Sequence, residues 1–455
     1  MRLKIAGGYV FDPASGWQGE VRDLYVHQGR LVPPLPEVDR VLDAQGKVVL
    51  PGGIDLRAPV ASLGQDFLRL KGLAPVLTAL GEAYALLGYT HVHEPFLTLT
   101  TAAYVHRELA ALPLMDTSAS LVVNLRDLDL YLTAAEYLGE VGQTLRFLLE
   151  RTRSLNLRVV EPYVRYRQDH YAHRALKTEK ALEVLAALAS SEKLNLALEA
   201  GPEVLRARLP EPRAFHLAAL GGALVAEDLV DAARRHLEEG ATGDLGLGSL
   251  NREAASAGTV KVDLGWFKPL EFGAPPDEAR VRRGVSLALD YGGPGLAFSA
   301  AGPGPAVRDY PLLFSWLCDP EARRRSLGQG LGLGQYSVAH WVWATRTLPA
   351  RLLGLPDRGH LGPGARADLA LFDLPLGAAA GQWGKHLCRC RTLLKAGEAV
   401  VEDFKVVKAR VAKATYFRET GAAATAMATE ICQYQSLRPE NLGVPEALGG
   451  PWVGL

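Results

Sequence analysis

His91 and His93 stand one residue apart in a β-prone run and are followed directly by Glu94. On a strand that spacing aims both imidazoles at one face. A zinc ion takes three or four converging donors. His91 and His93 would therefore supply part of a mononuclear site, with Glu161 and His216 as the side chains to complete it. The competing reading is a pair of partly buried histidines hydrogen bonded to their neighbours. Further along, the run Tyr163 to Lys177 combines Arg165, Arg167 and Arg174 with Tyr163 and Tyr166. Those arginines can make charge-assisted bonds to carboxylates, and the tyrosines offer flat faces to an aromatic group. A solvated surface would have the same composition. Arg323-Arg324-Arg325 reads as a solvated charge run near a helix end. Ser299 has no evident base beside it. Cys388 and Cys390, one residue apart, form neither a redox pair nor half a zinc ribbon, and the four cysteines read as reduced structural thiols.

The elements that must position these residues alternate along the middle of the chain. Short apolar strands are expected at Thr90–Glu94, Leu121–Leu125, Leu157–Glu161, Asn195–Glu199, Phe215–Leu220, Thr259–Leu264 and Leu296–Ser299. Between several of them lie Ala/Leu-rich segments with helical spacing, such as Ala74–Leu87 and Ala181–Ala189. That alternation predicts an α/β fold, a (β/α)8 barrel. A doubly wound open sheet is the alternative, but no Gly-rich phosphate loop follows the first strand. Loops after strands line the mouth of such a barrel, which places the Tyr163–Lys177 run where function is found.

Both chain ends are β-rich, with Arg2–Ile5, Asp23–Val26, Arg30–Val32 and Lys47–Leu50 at one and Ala367–Asp373, Thr392–Ala396 and Ala399–Glu402 at the other. The expected organisation is a small β-sandwich built from residues 1–50 with 360–413, a barrel over 51–359, and an extended C-terminal tail over 414–455. That tail is either a frayed end or a docking arm carrying Tyr416, Phe417, Tyr434 and Trp452.

Lys+Arg and Asp+Glu balance at 50 each, so no global field draws the chain to nucleic acid or to an anionic membrane. Met1-Arg2-Leu3-Lys4 carries charge where a signal peptide needs an apolar core. No run reaches the roughly 20 apolar residues that span a bilayer. A cytoplasmic protein is expected.

Two segments at a definite separation carry a family resemblance. Asp43-Ala44-Gln45-Gly46-Lys47 followed by Pro51-Gly52-Gly53-Ile54-Asp55 is how many amidohydrolase-superfamily chains lead into their barrel. The stretch from Gly359-His360-Leu361-Gly362 to Ala367-Asp368-Leu369-Ala370 resembles the point where they leave it. Within that superfamily the chain resembles the A subunits of formylmethanofuran dehydrogenase and of the formyltransferase/hydrolase complex. The supporting segments are Gly8-Tyr9-Val10-Phe11-Asp12-Pro13, Gly88-Tyr89-Thr90-His91-Val92-His93-Glu94-Pro95, Val262-Asp263-Leu264-Gly265, Tyr310-Pro311 with Trp316-Leu317, and Ala344-Thr345-Arg346. The resemblance implies a subunit that forms or hydrolyses an N-formyl bond on a carrier of the methanofuran or methylofuran type. It also implies a two-zinc site, and the other subunits of such a complex as partners.

In that family two metal ions turn water into hydroxide and polarise the formyl carbonyl. The resemblance assigns them a His-x-His after the first strand, a bridging carboxylated Lys or a Glu, two further His and a catalytic Asp. This chain departs at each station. Arg57 and Pro59 stand at the His-x-His, Arg158 stands at the bridging Lys, and the fifth-strand region Ala214–Gly221 keeps only His216. Asp244–Leu250 has no histidine, and Ser299 stands at the Asp. Arg does not give up its proton to ligate a metal, and Pro has no side-chain donor. The expectation is a catalytically impaired subunit that scaffolds a one-carbon complex and binds the carrier. A working amidohydrolase with its metal moved to His91 and His93, and a dihydroorotase-like non-catalytic partner in pyrimidine synthesis, are the alternatives.

Overall fold

The structure is a computed structural model, and it describes the chain apart from residues 1, 71, 73–74, 125–136, 161–176, 247–259, 263–269, 273–277, 301–309, 333, 376, 378–379, 409–410 and 449–450. Alternating burial builds the first sheet. β1 (Arg2–Asp12) buries Leu3, Ile5 and Val10 and pairs antiparallel with β2 (Trp17–His27), which pairs in turn with β3 (Arg30–Val32). β4 (Arg40–Asp43) and β5 (Val48–Pro51) run parallel to β1, one beside each half of it.

The chain then enters a parallel sheet. β6 (Gly53–Asp55), β7 (Tyr89–Leu97), β8 (Asp116–Asn124), β9 (Asn156–Val160), β10 (Leu196–Glu199), β11 (Phe215–Ala218) and β12 (Thr242–Asp244) are joined in that order. β13 (Val260–Val262) and β14 (Leu270–Phe272) form a separate antiparallel hairpin, after which β15 (Leu296–Ala297) pairs with β12. Eight parallel strands with helices between them make the expected (β/α)8 barrel.

The barrel corrects the sequence reading in two places. Thr259–Leu264 is expected as a barrel strand, but Val260–Val262 belongs to the hairpin. The seventh barrel strand is instead Thr242–Asp244, whose three residues include a central glycine and only one β-branched side chain, too little signal to stand out. Phe215–Ala218 is consequently the sixth strand, and Leu196–Glu199 is the fifth.

β16 (Leu369–Phe372) pairs antiparallel with β5, and β17 (Thr392–Lys395), β18 (Glu398–Glu402) and β19 (Lys405–Val406) continue from it. Both chain ends thus share one sheet, over a core of Leu3, Ile5, Val26, Val49, Leu369 and Leu371. The lead-in Pro51-Gly52-Gly53 is glycine-rich because the chain passes close to β7. A Cβ on Gly52 would lie 2.4 Å from Thr90 Oγ1, and one on Gly53 2.7 Å from the Tyr89 ring. Buried Arg346, from the Ala344-Thr345-Arg346 segment, donates from Nε to the Pro51 carbonyl at 3.0 Å and so joins lead-out to lead-in.

From 414 onward the chain, expected as an extended tail, packs on the barrel. β20 (Thr415–Phe417) runs parallel beside the first half of β8, and β21 (Trp452–Gly454) beside β20. Helix Ala426–Tyr434 packs against helix Leu138–Arg151, where Glu150 accepts the N–H groups of Thr420 and Gly421 at 2.8 and 2.7 Å. Phe417 meets Trp452 edge-on, with the Arg153 guanidinium 4.3 Å from the Phe417 ring. Arg323, expected in solvent, is buried and donates to the carbonyls of Trp316, Gly332 and Gly334. No helix among the described residues is long and apolar enough to cross a membrane.

Candidate functional site

Two arginines and one glutamate meet at the end of the barrel where strands finish. Arg57 follows β6, Arg158 lies within β9, and Glu199 ends β10. Arg57 Nη2 lies 3.4 Å from Glu199 Oε1, and Arg158 Nη2 donates to Oε2. Phe96 presents its ring to both guanidiniums, 5.0 Å from Arg158 Cζ and 5.5 Å from Arg57 Cζ. Both arginines are buried, whereas a third of the Glu199 side chain remains exposed. Burial pulls the Arg57 guanidinium below its ordinary value and Glu199 pushes it back up. A guanidinium stays charged through such shifts.

Next to this triad, Asp244 at the end of β12 lies 3.1 Å from His216 Nε2 and accepts the Ser299 hydroxyl. His216 Nδ1 is held 3.1 Å from Thr242 Oγ1. Burial works to raise the Asp244 carboxyl, but His216, the Arg57 charge and Ser299 together hold it at about 2, a fixed anion. Ser299 gives its hydrogen bond to a carboxylate and not to an imidazole, so it is not arranged as an activated nucleophile.

Two further carboxyls shape the mouth from behind. Asp55 accepts the N–H groups of Arg57 and Ala300 at 3.1 and 3.0 Å and the Tyr84 hydroxyl at 2.7 Å. β6 and β15 are not paired through their backbones among the described residues, so this carboxyl joins the first strand to the end of the eighth. Burial pushes it up to about 6. Glu94 accepts from Val60, Ala61 and Phe96 at 2.8, 2.7 and 3.1 Å and thereby fixes the segment after Arg57. Burial pushes Glu94 up to about 7 despite those donors.

His91 and His93 share a face, and they meet on β8. His91 Nε2 and His93 Nδ1 lie 2.9 and 2.8 Å from Ser118 Oγ, and His93 Nε2 lies 2.6 Å from Ser120 Oγ. Burial, with the Arg158 charge second, lowers His93 to about 3, and burial takes His91 well below its ordinary value. Both are neutral at physiological pH. His216 is engaged separately with Asp244, while Glu161, Tyr163, Arg165, Tyr166, Arg167 and Arg174 lie outside the described residues.

Below the lumen is a buried ionic floor. Asp116, the first residue of β8, accepts from Lys395 Nζ at 2.8 Å, from the Ala414 N–H at 2.7 Å and from Arg358. Arg358 also reaches Asp368 at 2.8 Å and the Tyr416 hydroxyl at 2.6 Å. Barrel, end sheet and C-terminal segment are joined at this one carboxylate. Burial opposes the charge on Asp116, but Lys395, Arg358 and Arg366 hold it well below the usual carboxylate range.

A model of the amidohydrolase family matches residues 322–401, which run from the last barrel helices through β16 to β18. The chain is 26% identical to the A subunit of the formyltransferase/hydrolase complex Fhc of Methylorubrum extorquens, over 90% of this chain and 89% of that one. The fold matches a chain of the crystal structure of that organism's complex with methylofuran at a TM-score of 0.82 and 22% identity, covering 100% of this chain and 99% of that chain. The fold is that of an amidohydrolase-type barrel. A shorter match, 32% identical over 26% of this chain and 24% of its partner, is to protein FwdA of Methanocaldococcus jannaschii.

The metal pair that the amidohydrolase fold implies does not fit this donor set. At the first-strand position Arg57 is engaged with Glu199 and Pro59 offers nothing; at the fourth-strand position Arg158 is engaged with the same acid. Among the described residues no three His, Cys, Asp or Glu side chains converge as a cage for a metal ion. Sequence reading passes over Glu199 and Asp244. The available signal was an acid closing a short strand, at the end of the barrel where such folds keep their chemistry.

Proposed function

We propose that the chain is an A-type subunit of a formyltransferase/hydrolase-like complex in one-carbon metabolism, in which the barrel scaffolds the assembly and holds the formyl carrier without a metal pair. The observation that carries this reading is the placement of Arg57 and Arg158 on Glu199, an ion triad at the end of the lumen where hydrolysis would need open ligands. Similarity to the Fhc protein over 90% of the chain supports the family context. The partners are the remaining subunits of such a complex, in the cytosol. Tyr163, Arg165, Tyr166, Arg167 and Arg174, which follow β9 in sequence, are the side chains we assign to the carrier or to a neighbouring subunit. His91, His93 and His216 serve in this reading as hydrogen-bonded structural histidines.

The test is gentle affinity purification of the tagged chain from its native host. A formyltransferase-type subunit is expected to come down with it in stable proportion. A lone monomer under the same conditions would contradict the proposal.

A further inference from the structure

We infer that Arg57 and Arg158 supply, as fixed side-chain charge, the positive centre around which the acids of this lumen are arranged, standing in for the metal ions of an amidohydrolase barrel, with Glu199 as the carboxylate they share. The inference rests on the proposed loss of the metal pair, and it concerns what balances the acids that stayed.

Glu199, Asp244 and Asp55 all end or follow strands at one end of the barrel, and Asp55 and Asp244 are fully buried. Carboxylates gathered in a low-dielectric lumen stay ionised only beside compensating cations. Arg57 interacts electrostatically with all three acids, and Arg158 adds its charge at Glu199. Lys would serve poorly, because a buried ammonium sheds its proton readily, whereas a guanidinium keeps its charge and presents a planar fork to the carboxylate. Phe96 completes the fit by covering the apolar face of both guanidiniums. The cations enter from the first and fourth strands, two of the stations at which the family resemblance places metal ligands.

The arrangement has a consequence. Glu199, His216 and Asp244 are side chains of metal-ligating type on three consecutive strands, and the guanidiniums occupy that neighbourhood. As they stand these side chains do not converge as a cage; removing the cations frees Glu199 from its ion pairs and leaves uncompensated acids and an imidazole that can close on an added divalent ion.

The experiment compares the full-length wild type with R57A/R158A by thermal melting, with and without added zinc chloride. The wild type is expected to melt at one temperature whatever the zinc concentration. The double variant should melt lower by about 5 °C or more without zinc, as for a buried pair that has lost its partner, and should recover most of that loss when zinc is added. Adding E199Q to the double variant should weaken the recovery. A double variant as stable as wild type, or one destabilised but indifferent to zinc, overturns the inference. If the double variant does not fold under either condition, R57A alone decides, with a zinc-dependent rise in melting temperature supporting the inference and no rise overturning it. Two zinc ions found in the wild type would instead remove the underlying reading of a lost metal pair, so the two failures are told apart.

Discussion

Arg158 stands in register with Ala197 on the neighbouring strand, yet its guanidinium reaches past it to Glu199, further along β10 on the same face. That reach lifts the charge of a mid-strand residue to the level of Arg57, so one carboxylate can serve two cations that enter from different strands. Replacing Glu199 by Gln keeps the volume and removes the shared charge. Two buried guanidiniums would then lose the carboxylate they share, and E199Q is expected to lower stability by about 3 kcal/mol. Urea unfolding measures this as a lower midpoint at unchanged slope; an unchanged midpoint would show that the triad is not holding the mouth together.

Glu94 gives a pH signature of known sign. Its carboxyl is raised from 4.5 to about 7 in the folded chain, so between those values the folded state keeps a proton that the unfolded chain has released. Stability therefore falls as pH rises through that window and levels off above it, with a total cost of about 3 kcal/mol. Gln has no proton to lose, so the stability of E94Q relative to wild type should rise between about pH 5 and about pH 8. A constant difference across that range would mean that Glu94 is ionised throughout.

Much of the framework is legible in the sequence because it is written in backbone demands. Pro51-Gly52-Gly53 marks the squeeze past Thr90 and Tyr89, and the β-branched and aromatic residues of β7 and β9 mark strands, which prove buried along their whole length. The loss of ligands at Arg57, Pro59 and Arg158 is equally plain, since it depends on residue type alone. What takes their place is not. Glu199 and Asp244 acquire meaning only when the barrel brings β6, β9, β10 and β12 to one mouth, and no local pattern encodes that convergence. Arg323 shows the reverse limit: three consecutive arginines look solvated until one of them is found capping buried carbonyls.

The floor is expected to be less tolerant than the mouth. D116N leaves Lys395 and Arg358 buried beside a neutral amide, and a loss of about 3 to 5 kcal/mol is expected. Asp116 is depressed in the folded state, so its contribution is present above the ordinary carboxylate value and is lost only as pH falls far below it. Y416F removes one hydrogen bond to Arg358 and should act locally, speeding amide hydrogen exchange around Thr415–Phe417 with little change in global unfolding. Global unfolding of Y416F at a much lower urea concentration would contradict that division.

For His91 and His93 the expectation is structural. The double change to Ala leaves the hydroxyls of Ser118 and Ser120 without their imidazole partners and should lower stability by roughly 2 kcal/mol or more. Metal content should not move. A bound metal that disappears with these two side chains would place a relocated metal site there instead.

The central claim, that Arg57 and Arg158 occupy this lumen in place of a metal pair, is tested most directly by elemental analysis of the full-length chain purified without chelator. Zinc is expected far below one equivalent per chain, with no gain on incubation with zinc and desalting. Two tightly held zinc ions per chain would contradict it outright.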